Sequence, residues 1–394
     1  MKEVLLESAA DLTALMRRHP WYTTMFAVAM LGVISFAGLE WRSERRWQRY
    51  VAEAEARGVK LWMADFTRPE IPDAENFAAL PIFRVGSRGE SRLDALALPA
   101  AYRRPTGPRE NVYSTPTRRD LPGFGSTVKG TKIDWADWQQ YFKDAKFLEA
   151  TSDQPATDVL RALEHYAPQF QQWSEWRTTR TKCRFTLRHL EQGWDLDVAP
   201  LYLCREAEMI FVLRLRAHLA LLDSTAAYAD FQDGLQAYQA TREEPTLSIG
   251  LLRVALLHML VAALGDGLQA HAWADADLRR IQEDLASVRV WDDWRLATET
   301  SRADWNTTME IFANLSFRER EAKLEYLNAR ERRLLAAMPR FIFRDNQVRM
   351  NHFYDEMLAR IETAHHTIDR TRQTPSAFEQ ITVPSAQIYY LFMT

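Results

Sequence analysis

The run PWYTTMFAVAMLGVISFAGL, residues 20–39, contains no Asp, Glu, Lys or Arg. An α-helix rises about 1.5 Å per residue, so a run of this length spans the roughly 30 Å hydrocarbon core of a bilayer. Trp21 and Tyr22 stand at one edge and Trp41 at the other, where aromatic belts sit. A secretory signal has a shorter apolar region and a small-x-small cleavage site, and Ser35-Phe36-Ala37 is a poor one. A core helix would show a polar face, and this run has none. The expectation is a single-pass anchor in the cell membrane at residues 20–40. An amphipathic segment at 1–19 precedes it and a helical stalk at 41–60 follows, with Gly58 as its C-cap.

The flanks disagree about orientation. Lys2, Arg17 and Arg18 are offset by Glu3, Glu7 and Asp11, whereas Arg42, Arg45, Arg46 and Arg49 cluster after the run. The positive-inside rule on that cluster puts the following domain in the cytoplasm. A first helix ahead of a long domain more often exports it, and the expectation adopted is an extracytoplasmic domain in the cell envelope.

The remainder reads as all-α. Glycine is scarce, 14 in 394 residues, and net charge is −3 with both signs interspersed. No concentrated basic face exists for nucleic acid. Pro69, Pro72 and Pro81, then a run of prolines and glycines from Pro99 to Gly130, make 61–133 an irregular wrap or linker in which Asp73 caps one short turn. A helical domain follows over 134–374, with 375–394 as an extended tail. Its clearest helix places Leu203, Ala207, Ile210, Leu213, Ala217 and Leu221 on one face, and Phe211, Leu215, Leu219 and Leu222 beside it. A helix apolar over so wide an arc sits between neighbours. Asp223-Ser224 then caps a second helix and Thr246 a third. Residues 247–265 are hydrophobic enough for a membrane span, but Arg253 and His258 make them a buried core helix. Further helices are expected near 275–287, 292–315, 317–336 and 346–372.

The stretch RAHLALLDSTAAYADFQDGLQAY, 216–238, resembles a tetratricopeptide-type helical hairpin, with Leu222 where that motif carries glycine. No 34-residue period extends along the chain, so the expectation is a tetratricopeptide-like or α-solenoid domain. The order of WQRYVAEAEARGVKL (47–61), PDAENFAALPIF (72–83), TDVLRALEHYAPQF (157–170), the 216–238 hairpin and WADADLRRIQEDL (273–285) is similar to a group of bacterial single-anchor helical proteins. That resemblance, over about residues 40–315, implies membrane attachment and helical architecture, and no catalytic residue.

Motifs for chemistry are sparse. HExxH, GxSxG and Walker A are absent. GFGSTVKG, from Gly123, lacks the third glycine of a dinucleotide loop and reads as a turn. Glu362 and His365 form a single ExxH, where a di-iron bundle needs two. Cys183 and Cys204 read as two small hydrophobes or, in an oxidising compartment, a pair. Arg253, inside an apolar run, must be paired. Glu208, Asp230 and Glu299 are its expected partners, in a structural ion pair or beside a cleft for an anionic group. His258 reads as a core histidine. Trp135, Trp138, Trp173, Trp176, Trp291, Trp294 and Trp305 are candidate interaction residues or core fillers. The functional expectation is a scaffold or adaptor, without cofactor, that binds a protein partner or itself, such as an accessory to a secretion or pilus-like assembly. The alternative is a metal- or carboxylate-dependent enzyme with its site in the helical core.

Overall fold

The computed structural model describes residues 20–83, 98, 121–124, 132–185, 199–242, 244, 246–324, 327–362 and 367–368. The expected segments 1–19 and 375–394 and most of 84–131 lie outside them. The described chain is helical apart from one two-residue antiparallel pair, Ile361–Glu362 with Thr367–Ile368. It divides into two compact units, one from the N-terminal helix to Leu61 with Trp305–Asp355, the other containing Trp62–Asp304.

In the first unit, α1 (Pro20–Ala56) is continuous through the apolar run. Met25, Phe26, Val28, Leu31, Val33, Ile34 and Phe36 are all exposed. Beyond Leu39 the helix changes character. Trp47, Tyr50 and Ala54 are buried, because this half packs on the helix Arg340–Ala359, here α12 after the intervening elements below. Buried Arg344 bridges Glu44, at 2.9 Å, and Glu310. Tyr50 Oη donates to Asp355 at 3.0 Å, and Arg57 pairs with the same carboxylate at 3.2 Å. The helix expected as a stalk over 41–60 runs to Ala56 and packs one face on α12. Short helices α10 (Phe317–Lys323) and α11 (Ala329–Ala336) replace the single helix expected over 317–336. Ser316 and Glu319 form a capping box at the first, and Asn328 caps the second.

The second unit is built around α5 (Ala199–Ala220). Ahead of it stand α2 (Trp135–Asp144), α3 (Pro155–Leu163) and α4 (Ala167–Thr179). After it come α6 (Ser224–Ala240), α7 (Leu247–Gln269), α8 (Asp275–Ala286) and α9 (Val290–Asn314), the last running on into the first unit's Trp305–Asp355. α5 packs on α6, α7 and α3. From Leu203 to Ala217, Leu203, Ala207, Ile210, Phe211, Leu213, Leu215 and Ala217 are 0–1% exposed, which leaves the helix no solvent stripe. Each large apolar side chain so buried stabilises by roughly 1.5–3 kcal/mol. The expected caps are present: Asp134 and Asp223 accept from the first helical amides, and Thr246 Oγ1 accepts from Ile249 N at 3.2 Å.

Of the segment expected as an irregular wrap or linker, residues 61–83 contribute to the core. Their 3₁₀ turns at Met63–Phe66, Phe77–Ala79 and Pro81–Phe83 bury Met63, Phe66, Phe77, Leu80, Ile82 and Phe83. Phe77 and Phe83 pack on Trp173 with ring centroids 5.0 and 5.8 Å away. The cap at Phe77 is Asn76, not Asp73. Gly123 and Phe124 are pinned as well. Gly123 O accepts from Trp138 Nε1 at 3.2 Å, and Phe124 O from Arg216 at 2.6 Å.

Four helices end in the same six-to-one turn. The amides of Val59, Phe147, Asp223 and Ala272 return to the carbonyls of Ala54, Phe142, His218 and Gly267. This turn places its penultimate residue in the left-handed region. Gly58 fills it at φ 72°, but Lys146, Leu222 and His271 hold it with side chains, at φ 63°, 62° and 51°. A side chain in that conformation costs about 1 kcal/mol or more. Leu222 is 72% exposed and returns little packing for that cost. Leu222→Gly is expected to raise stability by about 1 kcal/mol in urea unfolding, with no change in slope. A loss of stability would mean that the leucine makes a contact the turn depends on.

Candidate functional site

The buried cation anticipated at Arg253 is central to the second unit. Gly250 lets α7 approach α9 closely. A Cβ there would lie 2.5 Å from that of Ala297, well inside contact distance. One turn on, the Arg253 guanidinium makes a short ion pair with Asp293 at the start of α9. Asp293 also accepts from Tyr238 Oη at 2.7 Å, and Arg242 Nε lies 3.5 Å from its other oxygen. Arg253 also donates to the Arg242 carbonyl at 3.3 Å and stacks over the Tyr238 ring at 4.7 Å.

None of the three expected partners is used. Glu208 is wholly buried, and neither of its oxygens has a hydrogen-bond partner among the described residues. Its carboxyl packs under α6 at Gly234, where an added Cβ would sit 3.0 Å from Oε2. Asp230 pairs with Arg214 at 3.2 Å, with His218 Nε2 3.7 Å away. Glu299 pairs with Arg295 on its own helix at 3.1 Å. Burial pushes Glu208 up to about 8 and Asp230 up to about 8, the latter against a partial offset from Arg214. Burial likewise raises the Cys204 thiol, helped by the charges of Glu244 and Glu208. Cys204 is buried and Cys183 half-buried, and no disulfide joins them.

The tryptophans divide. Trp138, Trp173 and Trp305 are buried. Trp135, Trp176, Trp291 and Trp294 are half-buried, with Arg180 over the Trp176 ring at 3.2 Å. His258 is exposed on α7, not in the core. Glu362 lies in the short strand Ile361–Glu362, so no helix presents it with His365, a residue outside the described set. Among the described residues, no three His, Cys, Asp or Glu converge to hold a metal.

Two cavities flank the Tyr238–Asp293 contact. One is a cleft of about 690 Å³ lined by Arg68, Lys182, Arg184, Arg242 and Arg289 against Glu70 and Asp293, with Cys183 and the Gln236 and Gln239 amides between them. The other, of about 250 Å³, lies along α7 between Val254, Leu257, Val261, Val290 and Trp294. Tyr238 and Asp293 line both. The cleft is organised by Asn76, a residue the sequence did not mark. Its side-chain amide donates to Arg184 O at 2.8 Å and accepts from Arg184 N at 2.9 Å, fixing the 181–185 segment against the 3₁₀ turn at Phe77. Phe185 N is held in turn by Glu244 at 2.9 Å. An Asn ahead of an apolar triplet signals a local cap, but nothing local signals a partner more than a hundred residues on.

Comparison with protein-family models, with curated proteins and with solved structures gives no match to this chain.

Removing one member of a buried ion pair strands the other charge, at a cost of about 3–5 kcal/mol. Arg253→Met is expected to lose about 3 kcal/mol of stability, and adding Asp293→Asn to recover part of it. Additive losses in that cycle would show that the two groups do not couple. For Glu208 the sign is opposite. Its proton is held in the fold up to about pH 8, against 4.5 for the free side chain, so stability falls as pH rises through that window. Glu208→Met is expected to flatten that fall and to add about 1–3 kcal/mol at pH 8, read as melting temperature across pH. An unchanged pH profile would place the titration elsewhere.

Proposed function

We propose that the chain is a membrane-anchored helical scaffold or adaptor of the cell envelope, with its tetratricopeptide-like hairpin domain binding a partner on the extracytoplasmic side. The observation that carries the reading is the unburied apolar half of α1. Its 18-residue apolar window has a mean hydropathy of 1.6, and none of it is covered by the fold. Exposing that much contiguous apolar surface to water is costly, and a bilayer relieves it. The helical hairpin α5–α6, a form used for partner binding elsewhere, supports the scaffold part.

In alkaline carbonate, the full chain is expected to stay with the membrane pellet and a chain lacking residues 20–39 to move to the supernatant. Recovery of the full chain in the supernatant, or a mature mass that lacks the apolar run, would overturn the anchor. An impermeant maleimide reads the side. Half-buried Cys183 should label in spheroplasts, and buried Cys204 only after denaturation. Labelling of Cys183 only after lysis would put the domain in the cytoplasm.

A further inference from the structure

We propose that the connection between α9 and α12 is a second membrane contact, resting on the anionic headgroups of the leaflet that α1 enters. This deepens the anchored reading of α1 and rests on it.

Topology carries the placement. In the first unit α12 runs parallel to α1, from Glu40 and Phe341 at one end to Tyr50 and Asp355 at the other. It begins level with the end of the apolar run. The Phe341 ring meets Phe36 edge-on at 5.8 Å, and Phe341 N donates to Glu40 at 3.1 Å. Phe36 stands about 4.5 Å inside Leu39 along the helix. α9 runs the other way. Asn306 donates to Leu61 O at 3.2 Å, Glu310 accepts from Arg344 at 3.0 Å, and Phe312 stacks on Phe343 at 6.4 Å. α10 and α11 therefore join α9 to α12 at the end where the apolar run leaves the fold. Buried Arg320 ties the join, donating to Ala313 O at the foot of α9 and to Met338 O just ahead of α12. A headgroup layer is roughly 5–7 Å thick, so a turn tied to Phe341 stands at its height.

Surface chemistry carries the partner. Beyond Trp41, the large apolar side chains left exposed among the first unit's described residues are Phe317 and Leu334, both in this connection. Scattered exposed apolar groups mean little, but these two stand where the anchor leaves the fold. Residues 315–340 carry seven Lys and Arg against four Glu, in a chain whose net charge is −3. Of those acids, Glu319 closes the Ser316 capping box and Glu321 meets Arg332 and Arg333. Arg318 and Arg330 are exposed and make no ion pair among the described residues, and Arg330 lies one turn before Leu334 on α11. On α1, exposed Arg42 and Arg45 lie off the face that buries Ser43, Trp47 and Tyr50, with Arg45 over the Trp41 ring at 4.6 Å. Apolar side chains beside unpaired arginines fit the boundary of an anionic leaflet, the arginines on phosphates and the apolar groups among the first acyl carbons. The bilayer around α1 is the surface already at that height.

The test puts an environment-sensitive fluorophore on introduced cysteines of the full chain, with Cys183→Ser removing the half-buried native thiol and Cys204 left buried. The nanodiscs contain phosphatidylglycerol and a lipid bearing a nitroxide just below its headgroup. Val33→Cys reports the anchor, and Glu53→Cys, about 21 Å beyond Leu39, reports water. Phe317→Cys and Leu334→Cys alter exposed side chains and should leave the melting temperature unchanged. Their probes should be quenched as at Val33→Cys and unlike Glu53→Cys. Quenching at Val33→Cys alone would overturn the second contact and leave the anchor standing, whereas no quenching at Val33→Cys would overturn both. A blue-shifted but unquenched probe at 317 or 334 would mean that protein, such as a second copy of the chain, covers the turn instead. Arg318→Gln and Arg330→Gln, each added to Leu334→Cys, should lower the ratio of docked to free probe by about fivefold, the factor one arginine supplies at an anionic surface. Zwitterionic discs should show that loss without either substitution. Docking indifferent to lipid charge and to both variants would overturn the anionic leaflet as partner.

Discussion

The burial of α5 on every side is the constraint from which the second unit follows. A helix with a polar stripe can lie on a surface, but one without it must be enclosed. α3, α6 and α7 supply the enclosure, and aromatic side chains reach in from both sides of it. Phe211, on α5, meets Phe170 and Trp173 of α4 with ring centroids 5.5 and 5.3 Å away. Trp173 in turn receives Phe77 and Phe83 from the 3₁₀ turns before Phe83. A segment that looks like linker is thus drawn into the core by the aromatic neighbours that α5 demands. The same turns place Asn76 where it fixes the strand-like piece at 181–185, and with it one wall of the basic cleft.

Enclosure has a cost, seen in the polar groups caught inside. Glu208 sits on a buried face of α5 without a hydrogen-bond partner among the described residues, and burial pushes its carboxyl up to about 8. Arg253 is caught similarly on the inner face of α7, but Asp293, Tyr238 and the Arg242 carbonyl surround it. One site is a destabilising residue in the core and the other a closed network, although the sequence presents both as a lone charge among apolar neighbours. The network also gives the cleft and the groove a common wall at Tyr238 and Asp293.

The helices from 134 onward were legible because caps and periodicity are local. Asp134, Asp223 and Thr246 cap as their positions indicate. The hairpin turn was legible too, including the misfit of Leu222, which adopts the left-handed conformation that the resembling motif gives to glycine. What was not legible depends on distance along the chain. Arg253 had three expected carboxylate partners, Glu208, Asp230 and Glu299, but where α7 approaches α9 at Gly250 and Ala297 it pairs with a fourth, Asp293. The helix ending at Ala359 rather than near 372 has no comparable local marker, whereas the break between α10 and α11 has one in Asn328, which caps α11. Residues 41–60 read as a helical stalk continuing the apolar run. Yet Glu44 answers buried Arg344, some three hundred residues on, and Tyr50 answers Asp355.

The two most apolar helices show why hydropathy alone does not identify an anchor. α7 is the more hydrophobic, with a mean hydropathy of 2.1 over its most apolar window against 1.6 for α1. In α7 that hydrophobicity serves a core: Leu252, Leu256, Leu260 and Ala263 face α5 and α6, and Arg253 has its carboxylate. An arginine at that depth in a bilayer would cost about 2.5–3.5 kcal/mol on insertion scales, and taking α7 out of the fold would strand Asp293 as well. α1 has no buried counterpart to lose between Trp21 and Leu39, and no charge to neutralise there. What remains of α7 after packing is an outward stripe at Leu251, Val254, Val261 and Leu268, spaced three and seven residues apart. Its middle pair borders the groove that Arg253 also lines. The hydrophobicity that could be mistaken for a membrane span is divided between a core face and the lining of a surface groove.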